Sequence, residues 1–143
     1  MNIPVLLQEK YIQLLNEEKL AHDKRKQVVG VFLTYACDEL GIDTPPKVFL
    51  NNNPDFGPKF KSFGHFHVTN DKIVVASSNR NLADILRTIA HELTHYKQKL
   101  DGRLNLDNSA QSGADGSDIE DSANAMAGVI MRKFGRKHPE IYE

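Results

Sequence analysis

The chain has 143 residues, of which 40% are hydrophobic and 26% are charged, and these proportions are typical of a globular protein. This length allows one compact domain with its own core and is too short for two ordinary domains, so we expect a single domain over residues 1–143. The net charge of −1 excludes a general attraction to nucleic acid or to an anionic membrane surface, so we expect neither as a strong partner.

Cysteine content and hydropathy bear on location. Cys37 is the only cysteine, which excludes an intrachain disulfide and a zinc site made of several cysteines. The first residues, MNIPVLLQEKYIQ, do not have the basic region and long apolar run of a secretory signal. The longest weakly polar run, residues 28–37, has about half of the roughly 20 residues that a membrane span needs. We therefore expect a soluble, cytoplasmic protein, and a monomer.

Helices are predicted at the start of the chain. Apolar residues recur at helical spacing from Val5 to about Leu40, which favours one bent helix or two helices. The polar run from Asn16 to Lys26 is the expected position of the break. The stretch GIDTPP, residues 41–46, is expected to end the helical region with its glycine and prolines.

Three short strands are predicted next. KVFL, residues 47–50, is rich in β-prone residues and is followed by the turn-rich NNNPDFGP. KSFGHFHV, residues 61–68, and KIVVAS, residues 72–77, are separated by TND, which indicates a hairpin.

Two further helices complete the predicted α+β fold. The segment Asn81 to Leu100 has six apolar residues that a 3.6-residue period gathers on one side: Leu82, Ile85, Leu86, Ile89, Leu93 and Tyr96. The Gly-, Ser-, Asn- and Asp-rich segment from Asp101 to Asp118 is expected to be a mobile surface loop. The last helix is expected to begin near Ser117, a plausible N-cap, and to reach Gly135.

The stretch HELTH, residues 91–95, lies in the middle of the first of these two helices. Residues four apart lie one turn apart on the same helix face, so the imidazoles of His91 and His95 can converge on one metal ion. Glu92 is displaced by about one residue from His91, which places its carboxylate beside the metal and within reach of a metal-bound water. The sequence therefore predicts a zinc site with Glu92 as the general base. The alternative is a solvated helix face.

Glu120 is the best candidate for the third protein ligand that a catalytic zinc needs. It shares a face of the last helix with Ala123, Ala127 and Ile130, so its carboxylate is expected to point inward. The alternative is that Glu120 only completes a capping box with Ser117. Three other acidic residues compete for the ligand role: Asp115, Asp118 and Asp121.

Asn124 lies one turn beyond Glu120. From there its side chain can hydrogen-bond the outer nitrogen of a zinc-bound histidine and fix the tautomer of that histidine. An ordinary polar residue on the helix surface is an equal alternative.

These residues carry a resemblance to a known family. HELTH, followed about 25 residues later by IEDSANAMAG, looks like the zincin metallopeptidases of the gluzincin type, and residues 120–127 are similar to the glutamate helix of the ImmA/IrrE-type peptidases. The whole chain resembles a minimal phage- or mobile-element-type zincin, which implies a host-cytoplasmic location if it is phage-encoded. The resemblance implies that His91, His95 and Glu120 bind zinc and that Glu92 is the base. Thr94 stands where the ImmA/IrrE pattern usually has glycine.

The resemblance also implies a way to bind substrate. In zincins an edge strand near the active-site helix pairs with an extended peptide, and FGHFHV, residues 63–68, is the candidate here. His65 and His67 are expected on the side of this strand opposite Phe66, where either is a candidate to stabilise the oxyanion; two histidines on a solvated edge are the alternative. Tyr96 is a candidate to line the cleft or to pack in the core.

Three functions are compatible with these features. The first is a zinc endopeptidase that acts on a protein or peptide substrate. The second is a non-catalytic zincin scaffold that acts by binding, against which Glu92 argues because a structural metal site has no use for a base. The third is a DNA-associated protease like the SprT-type zincins, against which the near-neutral charge argues.

Overall fold

The computed structural model describes residues 22–55, 63–104 and 117–142. The chain divides into two compact units, Met1–Pro45 and Pro46–Glu143. The single domain expected from length stays a prediction. In the part of the chain that the structure describes, no helix is long and apolar enough to cross a membrane.

The described part of the first unit is one helix, α1, over His22–Leu40. It begins inside the polar run in which a break was predicted, and the helical segment predicted before it lies outside the described residues. The helix ends at Gly41, which has φ of 71°, a backbone conformation that glycine adopts without strain. The backbone N–H of Ile42 then donates to the carbonyl of Cys37 and closes the last turn.

The second unit begins with a small mixed sheet. Its strands are β1 over Lys47–Asn51, β2 over Gly64–His67 and β3 over Lys72–Ala76, in the order β1-β3-β2. The predicted hairpin is confirmed, because β2 and β3 pair antiparallel. The pairing of β1 with β3 is parallel, which the sequence did not predict. The sheet formed by the described residues therefore has β2 at one end.

The helix α2, over Leu82–Leu100, starts and packs as its sequence predicts. The side chain of Asn81 caps it by accepting a hydrogen bond from the backbone N–H of Asp84 at 2.9 Å. Five of the six predicted apolar positions are buried, and together with the alanines they form the face that contacts the sheet and the last helix.

The helix α3, over Asp118–Lys137, continues two residues beyond the predicted end and is followed by a 3₁₀ helix over Pro139–Tyr142. Ser117 is its N-cap, and the Ser117 hydroxyl accepts a hydrogen bond from the backbone N–H of Glu120. Ala123 and Ala127 are buried, and α3 contacts α2. The fold is α+β, as predicted. Residues 105–116, the main part of the predicted loop, lie outside the described residues.

Candidate metal centre

Two helices bring three metal-ligating side chains together. His91 and His95 project from α2, and the distance between their Nε2 atoms is 3.2 Å. Glu120, in the first turn of α3, places one carboxylate oxygen 2.7 Å from His91 Nε2 and the other 3.2 Å from His95 Nε2. Among the described residues this is the one group of three or more His, Cys, Asp or Glu side chains close enough to share an ion.

The donor set, and the spacing of its two imidazole nitrogens, are compatible with a shared metal ion. Imidazole nitrogens bind zinc at about 2.0–2.1 Å, so two of them on a tetrahedral ion are about 3.3 Å apart. The His91–His95 separation agrees with that value, and the two rings meet nearly perpendicular, at 86°. One carboxylate beside two imidazoles completes a three-ligand set that leaves a fourth position for water.

Glu92 is buried directly beside this group and is not part of it. Only 8% of its surface is exposed. Burial raises the pKa of the Glu92 carboxyl group to about 8, and the negative charge of Glu120 acts in the same direction. A carboxyl pKa near neutrality is the property expected of a general base that later acts as an acid.

His91 is held in the neutral form that binds metals. Burial lowers its pKa, and the charge of His95 lowers it further, although the Glu120 carboxylate opposes both. Asn124 makes a side-chain hydrogen bond with His91. The structure therefore brings Asn124 to one of the two histidines, as its position on the helix predicts.

Sequence reasoning missed Gln98. This side chain is 2% exposed and lies three residues after His95 on α2. Its amide contacts His95 Nδ1 at 2.8 Å and the backbone carbonyl of Ile119 at 2.9 Å. One feature of the sequence could have indicated it: Gln98 is a polar residue three positions after the candidate ligand His95, so the two lie on the same side of the helix.

Sequence reasoning also missed Gly64, the first residue of β2. A Cβ atom at this position would collide with Thr88 Cγ2 and lie 3.1 Å from a carboxylate oxygen of Glu92. A glycine inside a strand pattern is a known indicator of close backbone approach, and here β2 approaches α2 at Glu92.

Arg80 contacts all three segments that meet near Gly64. Its guanidinium donates to the carbonyl of Ala76 at 2.9 Å and to the hydroxyl of Thr88 at 2.7 Å. The same group lies 4.5 Å from the ring centroid of Phe63, the residue before Gly64. Arg80 therefore links the end of β3, the start of β2 and α2.

None of the remaining candidate residues belongs to the three-ligand group. His65 and His67 contact each other edge to face, on the side of β2 opposite Phe66. Tyr96 is buried and its ring packs against Phe66, which is the packing alternative rather than a cleft position.

Two of the three competing acidic residues lie in the described part of the chain. Asp118 and Asp121 are exposed on the first turn of α3 and do not belong to the three-ligand group. Asp115 lies outside the described residues.

Comparison of the chain with protein-family models, with curated proteins and with solved structures gives no match.

Proposed function

We propose that this protein is a zinc-dependent endopeptidase of the gluzincin type. One observation carries the proposal: two imidazoles and a carboxylate from separate helices converge within ligand distance, with a buried carboxyl group beside them. A metal site that is only structural is almost always held by four protein ligands, whereas the described residues supply three, with a buried carboxyl group that can serve as a base.

Each of the four residues has a distinct role in the proposed reaction. His91, His95 and Glu120 hold the metal, and zinc, when bound, supplies a Lewis acid that lowers the pKa of water and polarises the scissile carbonyl. Glu92 takes a proton from the attacking water. It then gives that proton to the leaving amine, so its charge is restored at the end of the cycle.

The environment of Glu92 supports this proton transfer. A carboxyl group in water is almost fully ionised at neutral pH and is a weak acid catalyst there. Burial and the neighbouring Glu120 raise the pKa of Glu92 to about 8, so both protonation states are accessible. The backbone of β2 at Gly64 lies near this side chain, and a Cβ atom at position 64 would come within 3.1 Å of its carboxylate.

The substrate in this proposal is an extended segment of protein or peptide. Such a segment is able to add to the sheet at β2, the strand that ends the described sheet and lies against α2 at Glu92. A monomer in a reducing, cytoplasmic compartment is part of the proposal, since the chain has a single cysteine and needs no disulfide.

The substitution Glu92→Gln tests the proposed mechanism. The amide keeps the size of the side chain and removes its ability to accept the proton. We expect zinc content equal to that of the wild type and a loss of peptide-bond hydrolysis of at least about 100-fold, the lower end of typical general-base contributions. The measurements are zinc per chain by elemental analysis and cleavage of an unfolded protein substrate followed by mass spectrometry.

Asp84→Asn is the matched control, since Asp84 is an exposed carboxylate on the same helix, two turns before the site. It should retain both zinc and activity. Full activity in Glu92→Gln would refute the mechanism. A wild-type protein that binds zinc but cleaves no substrate would instead favour the non-catalytic binding protein.

A further inference from the structure

Gln98 connects the second histidine of α2 to the first turn of α3. Its amide oxygen lies 2.8 Å from His95 Nδ1, and its amide nitrogen donates to the backbone carbonyl of Ile119, the residue before Glu120. Gln98 is 2% exposed, so both hydrogen bonds are made without competition from water. Leaving either end of a buried amide unpaired would be costly.

The orientation of the Gln98 amide follows from its partners. The Ile119 carbonyl only accepts hydrogen bonds, so the amide nitrogen of Gln98 must face it. The amide oxygen then faces His95 Nδ1, and this nitrogen must carry the proton. In a neutral ring this leaves Nε2 with a free lone pair, and Nε2 is the atom that faces His91 and Glu120.

The hydrogen bond from Gln98 to Ile119 bears on the position of Glu120. The backbone of Ile119 is continuous with that of Glu120 in the first turn of α3. A link from Gln98 to the Ile119 carbonyl therefore fixes where that turn lies on α2. The same side chain that orients one imidazole also holds the turn that presents the carboxylate.

We propose that Gln98 is a positioning residue that selects the metal-binding tautomer of His95 and holds the Glu120 turn against α2. This inference rests on the metal site of the proposed function but is independent of peptidase activity. His91 has an amide partner in Asn124, and because Asn124 belongs to α3 this hydrogen bond also joins the two helices. Gln98 thus unites in one side chain two tasks that determine zinc affinity.

The test compares zinc affinity in three variants, measured by competition with a chromophoric chelator. Gln98→Met keeps the length of the side chain and removes both hydrogen bonds, so zinc affinity should fall about 10- to 100-fold, as for other partners of metal-bound histidines. Thr94→Val is the control, because Thr94 is buried on the same helix and its hydroxyl donates to the backbone carbonyl of Ala90 within that helix. It should keep wild-type affinity.

A second readout separates positioning from packing. In the zinc-loaded wild type, the Nδ1 proton of His95 should give a slowly exchanging NMR signal, because it is buried in a hydrogen bond to Gln98. Gln98→Met should lose this signal. Gln98→Glu retains the acceptor for His95 and loses the donor to Ile119, so it should keep the signal and bind zinc more tightly than Gln98→Met.

Wild-type zinc affinity in a folded Gln98→Met variant would overturn this inference alone and leave the proposed function intact. A wild-type protein that takes up no zinc would overturn both together. If Gln98→Met does not fold, Gln98→Glu decides: a protected His95 proton supports the inference, and its loss in a folded variant overturns it.

Discussion

Gly64 matters to the candidate site because it has no side chain. The backbone of β2 lies so close to α2 that a methyl group at this position would collide with Thr88 Cγ2 and press against Glu92. Overpacking of this kind costs about 1–3 kcal/mol when the neighbours cannot move aside. The space beside Glu92 is therefore limited by a strand as well as by its own helix.

Gly64→Ala should lower the free energy of unfolding by about 1–3 kcal/mol and reduce activity while zinc content is retained. Thr88→Ser removes only the methyl group that causes the collision and keeps the hydroxyl that accepts from Arg80. The double variant should therefore recover part of the lost stability. Chemical denaturation and the cleavage assay measure both effects.

Gly128→Ala is the control for this substitution, because a Cβ there meets only the flexible end of Arg132 on α3. It should be neutral or slightly stabilising, as glycine is unfavourable inside a helix. A double variant that is no more stable than Gly64→Ala would show that the collision with Thr88 is not the cause.

Cys37 is a buried residue of α1, and its thiol is protected chemically as well as sterically. Burial raises the pKa of the Cys37 thiol from its ordinary value of 9.0 to about 11. At pH 8 the folded protein should therefore react with iodoacetamide much more slowly than the unfolded protein does. Equal labelling rates in buffer and in denaturant would contradict the burial of this thiol.

The raised pKa of Cys37 also makes the stability of the fold depend on pH. A thiol whose pKa is higher in the folded state stabilises the fold fully below about pH 9, and this contribution is lost as the pH rises towards 11. Above pH 9 the wild type should therefore lose stability faster than Cys37→Ala does. Parallel pH dependences in the two proteins would exclude a titrating Cys37.

At the scale of elements, the two N-caps have different relations to the site. Ser117 caps the turn of α3 that carries Glu120, and its hydroxyl accepts from the Glu120 N–H at 3.1 Å. Asn81 caps α2 at 2.9 Å from the Asp84 N–H, more than two turns before His91. Both caps stabilise a helix, but only the first lies next to a candidate metal ligand.

Ser117→Ala and Asn81→Ala form a matched pair. Each should cost about 1 kcal/mol of stability, the usual cost of removing an N-cap. Only Ser117→Ala should also weaken zinc binding, because the turn that presents Glu120 becomes less ordered. Thermal unfolding without metal and chelator competition measure the two effects. Equal zinc affinity in the two variants would contradict a role for the cap in presenting the ligand.

Elements whose signals are local were predictable from the sequence. The 3.6-residue period of α2, its start at Asn81 and the hairpin of β2 and β3 depend on neighbours a few residues away, and each is confirmed. The parallel pairing of β1 with β3 joins residues 25 positions apart, as in Lys47 with Lys72, and no local pattern encodes it.

The residues of the candidate site also differ in whether a local sequence pattern indicates them. The spacing of His91, Glu92 and His95 follows from helix geometry, and the inward face of α3 indicated Glu120. Gln98 and Gly64 act through contacts with other elements, at Ile119 and at Thr88, so their roles appear only when the elements are assembled.

At the scale of the whole molecule, a metal ion at this site would cross-link α2 and α3. A ligand that binds only the folded state stabilises it by mass action, about 2.7 kcal/mol when its concentration is 100 times its Kd. Zinc at that excess should raise the Tm of the wild type, and a chelator should reverse the change. Differential scanning calorimetry is the measurement.

Glu120→Ala should lose this zinc-dependent rise in Tm, whereas Asp121→Ala, which removes the exposed neighbouring carboxylate, should keep it. The same rise in both variants would mean that zinc stabilises the protein from another position.

The placement of the ligands on α2 and α3 also sets the order in which the site is made during synthesis. Glu120 follows His95 by 25 residues, and the turn that carries it must dock on α2 before the three ligands meet. A nascent chain that has released α2 from the ribosome therefore has two histidines and a base but no complete site. The proposed protease therefore becomes competent only after the turn that carries Glu120 has also left the ribosome and docked on α2.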